Sequence, residues 1–378
     1  MSKLKVVKPK KEKTPKDKTR KTIAKNKIAA IMTALVVVAG CAALLVWALP
    51  NLPIKPQTQQ PLSYQGVVEM WNVETFEGGV GSREAWLTAR AAKFEAANKG
   101  LFVHVTTLTV EQAETKLNEG QNFDMICFSR GVGSVVKERL AAFTGSVSDI
   151  KDNYLISGQL DGKLYAVPLY SGAYCLFART EQLSADRLLS DALTAKYTRK
   201  IGKNTVELQP LVCGFTPYNS PLSALALSGG KGKAKVSEDT TQYQAYEQFV
   251  ANKTAVTLLG TQRDMYRLSQ RESNGKIDKL GFVPLTGYTD LVQYVATSAN
   301  AGDKANACEQ FTEYLISDVS QSTLVNLSLF SVLDTTFYTA DRYVQCVSAL
   351  SSAYVPNVFG DAEAIQNQRK TALATLNM

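Results

Sequence analysis

Val67-Val68-Glu69-Met70-Trp71, Leu101 to Thr107 (LFVHVTT) and Asp124-Met125-Ile126-Cys127-Phe128 are three β-rich runs, and what separates them decides the fold. After the first, Ser82 is placed to cap a helix from Arg83 to Asn98, with Leu87, Ala91 and Phe94 recurring on one face. Asn98-Lys99-Gly100 ends that helix, Gly100 supplying the left-handed residue. Val110 to Asn118 reads as a second, short helix. The third run is apolar throughout, as a strand is when helices cover both faces of its sheet. The order is βαβαβ, which predicts an α/β fold with a mostly parallel sheet and right-handed crossovers. Ligands of such sheets bind beyond the carboxyl ends of the strands. The loops there are Asn72 to Gly81 and Ser129 to Gly133.

Downstream, Asp161-Gly162-Lys163 reads as a turn, and Leu164 to Pro168 and Ala173 to Ala178 as strands flanking Tyr170-Ser171-Gly172. Tyr243 to Val250 is helical, and Ala255 to Leu259 is an apolar strand running into Gly260-Thr261-Gln262-Arg263-Asp264. Two helices follow at about 303–316 and 319–327, with Asp318 and Gln321 spaced as a capping box for the second.

The N-terminus sets the expected topology. Residues 1–27 hold twelve Lys/Arg against Glu12 and Asp17, and Ile28 to Leu49 then runs 22 residues without a charge before Pro50. A helix of that length spans about 33 Å, enough for a bilayer core of about 30 Å. The basic tail keeps its own side cytoplasmic, so everything beyond Pro50 is expected outside the membrane, with 28–49 in the lipid bilayer. Val38-Ala39-Gly40-Cys41 resembles a bacterial lipobox in which Cys41 is lipidated. The run stays apolar after Cys41, however, and the reading preferred is an uncleaved single-pass signal anchor. Residues 50–65, rich in proline and glutamine, read as a linker. The formal charge of +8 is a property of the tail: the rest carries 30 basic and 32 acidic residues, which argues against nucleic acid as a partner. About 315 residues beyond the linker suit two lobes.

Residue types narrow the chemistry. His104 is the only histidine and sits in a strand-like run, so catalytic triads and histidine-based zinc sites are not expected. Beyond Cys41 there are five cysteines and no C-x-x-C pair, which reads as buried thiols rather than a disulfide framework. No cofactor and no metal are expected. Gly78-Gly79-Val80-Gly81-Ser82 lacks the ending of a phosphate loop; it is either a tight turn feeding a helix or a ligand-facing turn. Glu74 and Glu77 can serve glycoside hydrolysis, accept hydrogen bonds from sugar hydroxyls, or sit in solvent. Arg263 and Asp264 read either as a local ion pair or, with Thr261 and Gln262, as polar groups turned into a cleft. Tyr218 divides between loop packing and ligand stacking.

Seven stretches together resemble the extracellular solute-binding proteins of ATP-binding-cassette importers, specifically their large carbohydrate-binding group. They are Met70-Trp71-Asn72, the loop Glu74 to Gly79, the helix end Ala92 to Asn98, Phe123 to Ser129, Gly162-Lys163-Leu164-Tyr165-Ala166-Val167-Pro168, Phe249 to Thr257, and Phe311 to Asp318. The resemblance implies two α/β lobes joined by crossover strands: lobe I about 66–168 and 290–330, lobe II about 172–289 and 331–378. It implies a non-enzymatic protein that captures a small solute, a sugar foremost, and hands it to ABC permease subunits in the membrane. Carried over, the ligand-binding positions are Trp71, Glu74, Glu77, Ser129, Arg130, Tyr170, Ser171, Tyr174, Thr261, Gln262 and Arg263, with Tyr218 added from its own loop. The alternatives are a membrane-anchored sensor or envelope scaffold, and an extracytoplasmic glycosidase.

Overall fold

Strand β1 (Gly66–Val73) opens the fold and is followed by α1 (Arg83–Ala97), β2 (Leu101–Leu108), α2 (Val110–Asn118) and β3 (Met125–Phe128). The computed structural model describes residues 62–377 apart from 202, 234 and 252; the basic tail, the expected 28–49 anchor, Cys41 and the expected linker as far as residue 61 lie outside them. Among the described residues no helix is long and apolar enough to cross a membrane. The described residues belong to one compact unit. Leu62 and Tyr64, at the end of the expected linker, already pack against the core.

The βαβαβ order folds as its composition dictates. β1 pairs in parallel with β2 on one side and β3 on the other. Ser82 Oγ accepts the Ala85 N–H at 3.1 Å, satisfying one of the donors left free at a helix start, and Gly100 closes the helix at φ +91. Trp86, Leu87, Ala91 and Phe94 form the buried stripe of α1. His104 lies on the exposed side of β2, with Nδ1 2.8 Å from Glu69.

The chain then runs through β4 (Val167–Ser171) and β5 (Tyr174–Arg179). The strand read from Leu164 begins instead at Val167. Lys163–Leu164 folds back on Gln159–Leu160 around Asp161 and Gly162, both at positive φ, so Tyr170 and Ser171 fall inside β4 rather than between strands. Next come β6 (Gln209–Cys213), α3 (Pro221–Leu227), α4 (Gln242–Val250), β7 (Ala255–Thr261), α5 (Gln262–Ser273), β8 (Leu280–Pro284) and β9 (Val292–Thr297). The chain ends with α6 (Ala305–Leu315), α7 (Asp341–Leu350) and α8 (Ala362–Leu376). The capping box read at Asp318 and Gln321 does not form. Gln321 Nε2 donates instead to the Leu169 and Leu315 carbonyls, and the expected 319–327 helix breaks into a single turn (Asp318–Gln321) and a 3₁₀ segment (Ser322–Leu327).

Two main sheets result. The first has the order β2-β1-β3-β9-β4 and the second β6-β7-β5-β8. β9 returns antiparallel between β3 and β4, and β5 lies antiparallel between β7 and β8. The chain passes between the sheets at Gly172–Ala173, at 285–291 and beside Phe330. The passages bond to one another: Ser171 and Phe330 exchange backbone hydrogen bonds of 2.9 Å each, and Gly172 N–H donates to Leu291 O at 2.6 Å. The side chains of β5 alternate between two cores, as the period of a strand requires. Tyr174, Leu176 and Ala178 join the larger cluster, which extends through the first sheet. Cys175 and Phe177 join a separate cluster with Phe249, Met265, Leu268, Cys346 and Leu350.

Candidate functional site

A cleft of about 560 Å³ opens at the carboxyl ends of β1 and β2, where parallel sheets place their ligands. The first-sheet half contributes the 74–78 loop, Gly81, Ser82, Arg83, Glu84 and Thr107; the second-sheet half contributes Thr216 and Arg263. A larger depression of about 870 Å³, with Asp149, Asp152, Asp318 and Asp334 in its walls, lies elsewhere and includes none of the ligand-binding residues expected from sequence. We take the smaller cleft as the candidate site because it lies at the carboxyl ends of the parallel strands and holds Glu74, Glu77 and Arg263.

The floor is organised by Arg83, the first residue of α1. Its side chain is 6 % exposed, and Nη2 donates to Glu74 Oε2 at 2.5 Å and to the Phe76 carbonyl at 2.7 Å. The guanidinium lies 4.9 Å from the centre of the Phe76 ring, a cation–π distance. Asn72 Nδ2 donates to Glu74 Oε1 at 3.0 Å and to Thr107 Oγ1 at 3.2 Å. Glu74 is therefore fixed from two sides while part of its carboxylate stays open to the cleft.

The glycine-rich loop does two jobs. A Cβ on Gly79 would lie 2.0 Å from the Leu327 carbonyl, and Val80 N–H donates to that same oxygen at 2.7 Å, so this point of the loop is pressed against the chain near the third passage. Gly78 and Gly81 face the cleft.

The opposite wall is the β7–α5 corner. Gly260 to Asp264 is not a loop: β7 continues to Thr261 and α5 starts at Gln262. Thr261 and Asp264 form a capping box, Thr261 N–H donating to Asp264 Oδ2 at 3.0 Å and Arg263 N–H donating to Thr261 Oγ1 at 3.3 Å. Burial pushes the Asp264 carboxyl up to about 6, against the smaller opposing effect of the Thr261 N–H bond. The local Arg263–Asp264 ion pair does not form, because Asp264 is drawn inward by the cap. Arg263 Nε reaches Glu77 Oε2 at 3.4 Å, across the cleft. Gln262 is fully buried and spans the same gap: Oε1 accepts the Ala173 N–H at 3.0 Å, and Nε2 donates to the Glu77 carbonyl at 3.2 Å.

Of the sequence-derived residues, Glu74, Glu77 and Arg263 line the cleft, with Thr261 and Gln262 directly behind. The other seven lie elsewhere. Trp71 packs in the first-sheet core, its ring 5.3 Å from Phe123. Ser129 is buried and donates to Gln293 Oε1 at 2.6 Å. Arg130 is buried and donates to Tyr288 Oη at 3.1 Å and Gln368 Oε1 at 2.6 Å. Tyr170 meets Trp86 edge-on, and Ser171 Oγ bonds Tyr154 Oη at 2.9 Å. Tyr174 donates to Asp290 Oδ1 at 2.7 Å. Tyr218 is half-buried against Gly131, where a Cβ would lie 2.3 Å from its ring. Strands covered on both faces turn Tyr170 and Tyr174 into core residues whatever their chemistry.

Sequence reading missed Arg83 and Asp290. Asp290 sits in the second passage and collects Tyr174 Oη, Tyr288 Oη (2.8 Å) and Ser220 N–H (2.7 Å), with Arg130 Nη1 4.0 Å away. Its desolvation nevertheless raises its pKa. Arg83 had a signal, a cation one residue after a helix cap facing two glutamates; Asp290 had none, since its partners come from four separate stretches of chain.

No family model matches the chain, and no curated protein matches it. Among solved structures, the chain is similar to the GacH receptor of Streptomyces glaucescens GLA.O, solved unliganded and with acarbose and an acarbose homolog. Identity is 14%, the TM-score is 0.57, and the match covers 83% of this chain and 93% of that one. It is also similar to the maltotriose binding protein of Thermus thermophilus bound with maltotriose, at 14% identity and TM-score 0.51, covering 82% and 98%. The fold is that of these sugar-binding proteins.

Proposed function

We propose that the chain is an extracytoplasmic solute-binding protein that closes two lobes on a small solute, a carbohydrate first, and delivers it unchanged to an ABC permease. The observation that carries this reading is the cleft walled by both sheets and bridged by Glu77, Gln262 and Arg263. A solute touching both walls binds the closed form better than the open one, and it biases closure only by that difference. The residues facing it suit hydroxyl groups: the carboxylates of Glu74, Glu77 and Glu84, the guanidinium groups of Arg83 and Arg263, and the Thr107 and Thr216 hydroxyls. The two similar structures bind acarbose and maltotriose, which supports a sugar. The apolar run at 28–49 supports a membrane-held protein working beside its permease, where tethering raises the effective concentration. Glu74 and Glu77 are read as binding groups rather than a catalytic pair, since each is already engaged by an arginine.

The test is a thermal-shift screen over mono- to trisaccharides, amino acids and polyamines. A sugar is expected to raise the unfolding midpoint, with Glu77→Ala and Arg263→Ala each reducing that shift. A shift from polyamines or amino acids alone would remove the carbohydrate assignment. A sugar shift unchanged in both variants would remove this cleft.

A further inference from the structure

The second hydrophobic cluster contains two cysteines from distant parts of the chain. Cys175 lies on β5 and Cys346 in the middle of α7; their Sγ atoms are 3.7 Å apart, and both residues are 0 % exposed. Cys127, Cys213 and Cys308 are buried elsewhere in the fold. The position of the pair matters. The backbone of Cys175 is registered against Gly260 on one side and Pro284 on the other, one strand from the cleft-side corner at Thr261. α7 is held to the same half by Arg342, which pairs with Glu272 at 2.9 Å and donates to the Leu280 carbonyl at 3.2 Å.

We propose that Cys175 and Cys346 are a dithiol–disulfide site whose oxidised form bonds α7 covalently to the central strand of the second sheet. The oxidant is a disulfide of the extracytoplasmic compartment, either a small molecule or an exchange protein. One cysteine thiolate attacks a sulfur of that disulfide and expels a thiolate, leaving a mixed disulfide on the protein. The second cysteine thiolate attacks the protein-bound sulfur and expels the other half of the reagent. The protein loses two electrons and two protons; the reagent gains them as two thiols. Closing the site requires the sulfur atoms to approach from van der Waals contact to bonding distance, about 2 Å. Burial raises the Cys175 thiol well above its ordinary value, which disfavours the attacking thiolate in the packed state. Oxidation therefore proceeds during folding, or through opening of α7, rather than on the closed fold. The bond spans 171 positions of sequence and encloses β6, β7 and β8, so the unfolded chain loses much of its freedom when it forms.

The test uses the full chain, purified under reducing conditions, then unfolded and refolded in a buffer containing oxidised glutathione. The expected result is a peptide map linking Cys175 to Cys346, two fewer titratable thiols, and an unfolding midpoint several degrees above that of the reduced protein. Cys346→Ala should leave the midpoint insensitive to the oxidant. Where that variant does not fold, the wild-type map decides by itself. An unchanged thiol count after oxidative refolding, or a map that joins other cysteines instead, would overturn the proposal.

Discussion

Arg83 organises more of the site than any other side chain, because one guanidinium fixes Glu74, the Phe76 carbonyl and the Phe76 ring together. Truncation leaves a buried carbonyl unpaired and frees a carboxylate at the cleft floor. Arg83→Ala is expected to lower the free energy of unfolding in urea by about 2 kcal/mol; a loss below about 0.5 kcal/mol would show that the loop holds its shape without it. Asp264 works in the opposite sense. Its folded-state value of about 6 lies above the ordinary 3.8. The folded chain thus holds this proton more tightly than the unfolded one, so the group's contribution is most favourable below about pH 4 and is lost as pH rises through 6. Asp264→Asn keeps an oxygen for the Thr261 N–H and removes the charge. Its midpoint is expected to exceed that of the wild type at about pH 7, with the gap closing towards pH 4; a pH-independent gap would assign the effect to packing instead. At this scale the sequence was only partly legible. Glu74, Glu77 and Arg263 stand out as polar residues following apolar strands, whereas Trp71 and Tyr174 have the chemistry of ligand contacts but positions that strand alternation turns inward.

At the scale of elements, two glycines carry the geometry of the cleft. Gly79 gives way to the Leu327 carbonyl, a backbone atom with no rotamer to move, and Gly172 gives way to the Gln262 carboxamide, 2.6 Å from the position of an added Cβ. Gly79→Ala is therefore expected to fail to accumulate or to unfold at a much lower temperature. Gly172→Ala should be destabilised by displacing Gln262 from the Ala173 N–H and the Glu77 carbonyl. Adding Gln262→Ala removes the clash, so the double variant should lose less than the sum of the single losses; strict additivity in urea unfolding would show that the two residues do not meet as described. The βαβαβ opening was readable because period, caps and breaks agreed: Ser82, Gly100 and the apolar Met125–Phe128 run each mark a real boundary. The β7–α5 corner was missed although Thr261 and Asp264 have the spacing of a capping box, because the polar Gln262-Arg263-Asp264 run reads as a loop. Gln321 misled for the related reason that its side chain reaches a neighbouring strand rather than its own helix end.

For the whole molecule, the passages between the sheets are few; the two halves are joined across the cleft by Glu77, Gln262 and Arg263 and behind it by Arg130, which bonds Tyr288 and Gln368. The proposed function requires one half to move against the other, with a solute supplying the free energy that favours closure. A mixed α/β architecture was legible from element order, but the return of β9 into the first sheet depends on contacts far apart in sequence and is visible only in the fold. Small-angle scattering of the protein with and without the sugar that most raises its unfolding midpoint tests closure directly. A smaller radius of gyration in the saturated sample, abolished together with the midpoint shift in Arg263→Ala, is the predicted result; an identical radius at saturation would contradict closure of the two halves on a solute.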